Sequence, residues 1–315
     1  MVAAVLVAIV VIVILIRIGY AYQWTGFGEE KLETENRDAR PKKTLWDWLQ
    51  LGGTLAIPIA IALFGIWYTE QQDRVNREIE AQRAEQVTLQ AYLDQMGTLL
   101  LDRDLHDSSE DSNVSRVARA RTLVVLDALE SSDRQRRVLR FLYETELIQE
   151  QPSADPIIRL DYADLRNYRS DTTRLLKGAS LVQATLDGAV LPKADLERTD
   201  LSGAQLDEAD LSNANLKDAK LCGASLNDTE LDGAKLIGAN LSDCEGLWNK
   251  GPRMDGADLG GADLRKANLS EARGWTEKQL SATQSLEGAT MPDGRILKGP
   301  TEPSGPTFEV WRKSQ

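Results

Sequence analysis

The sequence has few of the residues that build catalytic and metal sites. It contains one histidine and two cysteines in 315 residues, which excludes a disulfide-rich scaffold and a zinc site with four cysteine or histidine ligands. Aromatic residues make up only 6% of the chain, which argues against a conventional β-sandwich core. The 37 Lys and Arg residues are outnumbered by 49 Asp and Glu residues, for a net charge of −12. A protein this acidic is not expected to bind nucleic acid directly.

Two long apolar stretches lie near the N-terminus, at residues 1–22 and 48–69. As a helix, each stretch would be about 33 Å long, which is enough to cross the hydrocarbon core of a bilayer. The second stretch has aromatic residues at both ends, such as Trp48 and Tyr68, as expected at the two membrane interfaces. The pattern predicts two transmembrane helices joined by a polar loop at 23–47, in an integral membrane protein that contacts the lipid bilayer.

Residues 70–150 have helical periodicity and predict a small α-helical module next to the membrane. Side chains at alternating intervals of four and three residues form a possible coiled-coil seam, which comprises Val75, Ile79, Gln82, Gln86, Leu89, Leu93, Met96 and Leu100. Two interpretations are open. The helix at 75–100 joins two copies of the chain as a homo-oligomer, or its second half packs on the helices that follow.

Leucine recurs at every fifth position from Leu176 to Leu241, fourteen times without a gap. A small residue, alanine or threonine, stands two positions before each leucine from Leu181 onward. Steps of five would scatter the leucines around an α-helix, because each step rotates by about 140°, and would alternate between the faces of a strand. The repeat therefore predicts a solenoid that turns a corner every five residues and stacks leucine and alanine inside.

The repeat units read ADLER, TDLSG, AQLDE, ADLSN and ANLKD, and they resemble the pentapeptide-repeat family, whose motif is A-[D/N]-L-x-x. The resemblance covers about residues 157–299 and implies a right-handed, quadrilateral β-helix with four pentapeptides per coil. We interpret the break in the period near 243–255 as a loop, and we expect a C-terminal tail at 300–315. The order of membrane segment, helical module and repeat is also similar to membrane-attached bacterial members of the family. That looser resemblance implies the bacterial plasma membrane and leaves open on which side the repeat lies.

Four units per coil place residues twenty apart in one stack, with neighbours about 4.8 Å apart. Seven acidic residues then gather along one edge of the solenoid, which we call the acidic edge: Asp187, Asp207, Glu208, Asp210, Asp228, Glu230 and Asp232. The edge is either a solvated surface or a docking strip for a basic protein partner that binds through charge. Trp248 in the predicted loop is a second candidate contact.

The sequence shows no nucleophile beside a base, no phosphate-binding glycine loop and no cluster of metal ligands, so we expect a non-catalytic protein without a cofactor. The prediction is a membrane-anchored scaffold that binds an unidentified protein partner through its solenoid. The alternative comes from the family resemblance, because some pentapeptide-repeat proteins resemble DNA and bind type II topoisomerases. The acidic edge would then be a DNA-like ligand of such an enzyme.

Overall fold

The computed structural model describes residues 45–103, 105–150, 155–170, 174–243, 251–299 and 303–315. A boundary between Ala81 and Gln82 divides the chain into two compact units. The helices of the described residues are α1 (Leu45–Asp102), a 3₁₀ turn (Leu105–Asp107), α2 (Asn113–Ala128), α3 (Ser132–Glu144), α4 (Glu277–Ala282) and α5 (Phe308–Arg312).

The prediction of two membrane-spanning helices, and with it that of an integral membrane location, is wrong where the structure tests it. Within the described ranges, no helix has both the length and the apolar character needed to cross a membrane. The stretch at 48–69 is not a separate element, because it lies inside α1, a continuous helix of 58 residues. After this stretch, α1 continues into a charged sequence from Glu70 onward. The predicted helix at 1–22 lies outside the described residues.

The second half of α1 shares a hydrophobic core with α2 and α3. Leu89 and Met96 of α1 are buried together with Leu126 of α2 and Val138 of α3. The second half of the predicted coiled-coil seam therefore packs against α2 and α3 of the same chain. The first half of the seam, which begins at Val75, is exposed.

A buried hydroxyl pair lies within the helical module. The hydroxyl of Tyr92 on α1 is 3.0 Å from the hydroxyl of Thr122 on α2. Burial raises the pKa of Tyr92 well above its usual range, although this hydrogen bond lowers it in part. Tyr92 therefore stays neutral at physiological pH and fixes the second half of α1 against α2.

The repeat forms a four-sided solenoid in which successive coils are joined by single-residue parallel bridges. Bridges such as Asp200↔Lys220 and Asp210↔Glu230 connect residues twenty apart, which confirms four pentapeptides per coil. The described residues form only isolated bridges and no continuous strands, because the chain turns a corner after each unit. The repeat leucines and most residues in the alanine position are buried.

Each corner is a tight turn that follows the repeat leucine. In one turn, the amide of Ala209 donates to the carbonyl of Leu206 at 3.1 Å, and the third turn residue, Glu208, has a φ of 60°. A positive φ favours glycine, which explains why Gly203 and Gly223 hold this turn position in neighbouring units.

The spacing of bridged residues departs from twenty at three places in the described solenoid, the first being a one-residue excess in the first coil, where Asp164 bridges Thr185. The two larger interruptions follow later in the chain. Ser225 bridges Arg253, twenty-eight residues later, whereas the regular step is twenty, so eight residues are inserted. Arg253 then bridges Arg273 at the regular spacing, and Met254 occupies the buried leucine position. Residues 244–250 of the loop predicted at 243–255 lie outside the described residues, whereas Arg253 and Met254 of that range belong to the next coil. The second interruption is α4, which adds two residues between Asp263 and Ser285.

Both ends of the solenoid are covered. At the first coil, the buried carboxylate of Asp161 accepts a hydrogen bond from Ser180 at 2.5 Å and pairs with Arg159 at 2.8 Å and with Arg119 of α2 at 3.5 Å. At the last coil, Trp311 of α5 is buried and donates to Asp293 at 2.9 Å. The segment predicted as a tail thus ends in a cap, which protects the backbone edge of the last coil.

Candidate functional site

The solenoid brings the acidic edge together on two neighbouring faces. On one face, Asp210 bridges Glu230 and Glu230 bridges Asp258, so these three side chains are stacked along consecutive coils. On the preceding face, Asp187 and Asp207 occupy the first turn position of successive coils, because the amide of Gly188 donates to the carbonyl of Asp207 at 2.9 Å. The stack predicted from the twenty-residue spacing is therefore present in the structure.

Two of the seven acids accept hydrogen bonds from the next coil. The carboxylate of Asp187 accepts a hydrogen bond from the amide of Asp207 at 3.1 Å. The carboxylate of Asp207 in turn accepts from the amide of Asn227 at 3.0 Å and from the hydroxyl of Ser225 at 2.6 Å. Burial, and to a lesser degree the charge of Asp207, raise the pKa of Asp187. These two partly buried carboxylates are structural as well as acidic.

The other acids of the edge face solvent more freely. Glu208, Asp228, Glu230 and Asp232 are exposed, and their carboxylates make no hydrogen bond within the described part of the chain. Asp210 is partly buried, and its carboxylate accepts from the amide of Ser212 at 2.9 Å. We call the four exposed residues the exposed acids; they are the part of the edge that a partner could contact.

The acidic edge differs from the other faces because its charges are not neutralised. None of its seven carboxylates lies within 4.0 Å of a lysine or arginine nitrogen in the described ranges. On the other faces, Glu197 pairs with Lys177 at 2.7 Å and Asp200 pairs with Lys220 at 3.2 Å. Asp263 pairs with Arg265 at 2.6 Å, and this hydrogen bond lowers the pKa of Asp263. Unpaired acids are thus concentrated along this edge, although Glu271 and Glu287 elsewhere on the solenoid are also exposed and unpaired in the described ranges.

The prediction missed one member of this stack. Asp258 is exposed and extends the line of Asp210 and Glu230 into a further coil. The eight-residue insertion hides it, because twenty residues after Glu230 the chain has Lys250 and not Asp258. Counting the stack again from Met254, the first leucine-like residue after the insertion, would have identified it.

Two further residues in the repeat region are Trp248, the candidate loop contact, and Cys222, which follows a repeat leucine. Trp248 lies outside the described residues. A residue directly after a repeat leucine is expected to point outward. Cys222 is instead fully buried. It is disulfide-bonded, and its sulfur lies 3.3 Å from the side-chain amide of Asn240.

No group of three or more histidine, cysteine or acidic residues in the described ranges is arranged to hold a metal ion. The stacked acids are spread along the solenoid axis and do not converge on one point. The acidic edge is thus a line of negatively charged side chains with backbone amides and hydroxyl groups next to it.

Comparison with known proteins identifies the repeat. The family model for pentapeptide repeats matches eight copies at residues 175–206, 204–243 and 250–273. No curated protein matches the chain. Among solved structures, the chain is 31% identical to HetL, a pentapeptide-repeat protein involved in heterocyst differentiation regulation from the cyanobacterium Nostoc sp. strain PCC 7120. This match covers 44% of the chain and 85% of HetL, with a TM-score of 0.17.

Two further solved structures are similar to part of this chain. The pentapeptide-repeat protein Rfr23 from the cyanobacterium Cyanothece 51142 is 29% identical, with 41% of this chain and 75% of Rfr23 covered and a TM-score of 0.21. QnrB1, a plasmid-mediated fluoroquinolone resistance protein, is 14% identical, with 46% and 71% covered and a TM-score of 0.26. These TM-scores are low, so the assignment depends on the matched repeats and on their four-sided stacking. The chain belongs to the pentapeptide-repeat family, whose members are generally structural or interaction proteins and not enzymes.

Proposed function

We propose that this protein is a non-catalytic scaffold that binds a basic protein partner through the exposed acids of its solenoid. The observation that supports the proposal most is the clustering of unpaired acids. Several acids on the other faces are paired with lysine or arginine, whereas none of the four exposed acids has a lysine or arginine nitrogen within 4.0 Å in the described ranges. Glu208 and Asp228 follow one another along the axis, and Glu230 and Asp232 lie on the adjoining face.

Stacked like charges are mildly unfavourable, at roughly 0.2–1 kcal/mol for each directly opposed pair. A partner that brings lysine or arginine side chains to this edge would remove that repulsion and gain charge-assisted hydrogen bonds. Such an interface steers association through long-range charge and weakens as salt is added. The rigid coils keep the carboxylates at fixed spacing, so little ordering is required when the partner binds.

The alternative ligand, a type II topoisomerase that recognises the edge as a DNA-like surface, is less well supported. The stack Asp210, Glu230 and Asp258 spans three coils, and two intervals of about 4.8 Å give roughly 10 Å. One turn of DNA is about 34 Å long. The described edge therefore reproduces less than half of a helical turn of phosphates, and a smaller basic surface fits it better.

The experiment uses the full chain with all four exposed acids replaced by lysine: Glu208→Lys, Asp228→Lys, Glu230→Lys and Asp232→Lys. The immobilised parent and variant are incubated with cell lysate, and bound proteins are identified by mass spectrometry. We expect basic proteins that bind the parent to be lost from the variant and to be released from the parent by about 0.5 M NaCl, where the Debye length is only a few ångströms.

A matched control changes the same number of charges elsewhere. Glu130, Glu144, Glu271 and Glu287 are exposed and lie outside the acidic edge, so their replacement by lysine gives the same net charge. This control should keep the partners. If both variants lose the same proteins, those proteins bind through the net charge of the chain and not through the acidic edge. If the edge variant keeps them, the edge is a solvated surface. Inhibition of a purified type II topoisomerase by the parent, and not by the edge variant, would favour the DNA-like alternative.

A further inference from the structure

An open apolar groove lies on the helical module. It has a volume of about 490 Å³ and lies between α1 and α2. Its walls carry Val87 and Ala91 from α1 and Ala120 and Val124 from α2. Val87 and Val124 are 68% and 69% exposed, so two valines at the groove are largely uncovered. Small alanines between them would allow another helix to approach closely.

The outward side of α2 has the spacing of a helix that packs against a second helix. Its exposed residues recur at intervals of three and four, as one helix face requires: Val117, Ala120, Arg121, Val124, Asp127 and Ala128. The buried side of the same helix, which includes Ala118 and Leu126, already packs in the module core. Both sides of α2 therefore carry apolar residues. The inner side packs in the module core, and no other part of the described chain packs against the outer side.

This outward face is self-complementary about Val124. Arg121 stands three residues before Val124, and Asp127 stands three residues after it. Ala120 and Ala128 are likewise four residues before and after. If two copies of α2 pack antiparallel with Val124 at the two-fold axis, Arg121 of each copy comes opposite Asp127 of the other, and alanine comes opposite alanine. The charge pattern therefore specifies a second copy of this chain as the occupant.

The two charged residues are available for that pairing. Neither Arg121 nor Asp127 forms an ion pair within 4.0 Å in the described part of the chain, and both are exposed. Asp127 does interact with Arg166 at longer range: the pKa of Arg166 is raised mainly by its hydrogen bond to Asp164 and in part by the charge of Asp127. Two other arginines of the module do form ion pairs: Arg134 of α3 pairs with Glu85 of α1, and Arg119 of α2 pairs with Asp161. The unpaired Arg and Asp on α2 thus flank the exposed valine on both sides.

We propose that the protein forms a two-fold symmetric dimer in which the α2 helices pack antiparallel and the Val124 side chains of the two copies meet at the axis, where each forms part of the wall of its own groove. Two ion pairs between Arg121 and Asp127 at the rim set the register. The dimer does not use the predicted seam around Leu89 and Met96, because those side chains are buried in the module. It carries two acidic edges in one assembly and would raise the avidity for a partner with repeated basic surfaces.

The test is the molar mass of the purified full chain by sedimentation equilibrium. Val124→Asp places two uncompensated carboxylates at the two-fold axis, and we expect dimer dissociation to become easier by about 100-fold or more. The matched control is Val310→Asp on α5, a valine that is 60% exposed and lies outside the proposed interface. It should keep the mass of the parent, whereas Val124→Asp should halve it.

A charge swap separates the interface from a fault in folding. Arg121→Asp alone brings Asp opposite Asp127 and should weaken the dimer by about tenfold, since exposed ion pairs contribute about 1 kcal/mol or less each. The double variant Arg121→Asp with Asp127→Arg restores opposite charges and should restore the dimer. A monomeric parent at micromolar concentration, an unchanged mass in Val124→Asp, or a double variant no better than Arg121→Asp would each overturn the proposal. Loss of the dimer with partner capture intact would leave the acidic edge as a separate function.

Discussion

Replacing Leu211 with alanine should destabilise the solenoid by about 3–4 kcal/mol, in the upper part of the usual range for a buried leucine. Leu211 is fully buried between Leu191 and Leu231, which occupy the same position in the coils before and after it. The backbone cannot collapse into the cavity, because the amide of Leu211 donates to Glu230 at 2.8 Å and the amide of Leu191 donates to Asp210 at 2.8 Å. Both neighbouring leucines would lose contacts, and little relaxation would compensate.

Denaturation by guanidinium chloride, followed by circular dichroism, measures this cost. Leu101→Ala is the matched control, because Leu101 lies on α1 and is 84% exposed; it should change the free energy of unfolding by less than about 0.5 kcal/mol. Leu211→Asp should be more damaging than Leu211→Ala, since it places a carboxylate in the leucine stack. If Leu211→Ala unfolds within about 0.5 kcal/mol of the parent, the leucine stack is not what stabilises the coils.

Two further substitutions test individual contacts of the solenoid. Thr229 occupies an alanine position, and its hydroxyl donates to the carbonyl of Leu206 at 2.8 Å. Thr229→Val keeps the shape of the side chain but removes this hydrogen bond, so it should lower the free energy of unfolding by about 1 kcal/mol. Thermal unfolding measures the change, and an unchanged Tm would refute this role. Asp187→Asn keeps the acceptor for the amide of Asp207 and removes a carboxylate whose pKa burial raises. A raised pKa means that ionisation destabilises the folded state, so Asp187→Asn should stabilise the protein by up to about 1 kcal/mol at pH 7. The gain should fade as the pH drops towards 3.8, the ordinary pKa of this carboxyl. Urea unfolding at pH 7 and near pH 3.8 measures the gain, and an equal gain at the two pH values would refute the reasoning.

The solenoid could be predicted because its sequence rule is local and repeated. Leucine at every fifth position, with a small residue two positions earlier, requires a corner in every unit, and the spacing of twenty between bridged residues such as Asp210 and Glu230 follows from four corners per coil. The prediction fails where the repeat changes length. The insertion before Arg253 displaces Asp258 from the counted stack, and nothing in a fixed period indicates where the coil resumes.

The N-terminal prediction failed for a different reason. An apolar stretch with aromatic ends was interpreted by itself, whereas the structure continues the same helix from Leu45 to Asp102. The packing of the helical module also depends on contacts that are distant in the sequence, such as that between Tyr92 and Thr122. Helical periodicity predicts that residues share a face, but it does not say which face another helix covers. The open groove beside Val124 could be recognised only from the packed structure.

Carbodiimide coupling of the captured complex, followed by mass spectrometry, tests the proposed binding surface most directly. This reagent joins a carboxylate to a lysine only when the two groups are in contact. If the exposed acids bind a basic partner, lysines of that partner will be joined to Glu208, Asp228, Glu230 and Asp232, and these links will disappear at about 0.5 M NaCl. Links that fall mainly on the other faces of the solenoid or on the helical module, with none at these four residues, would contradict the proposal.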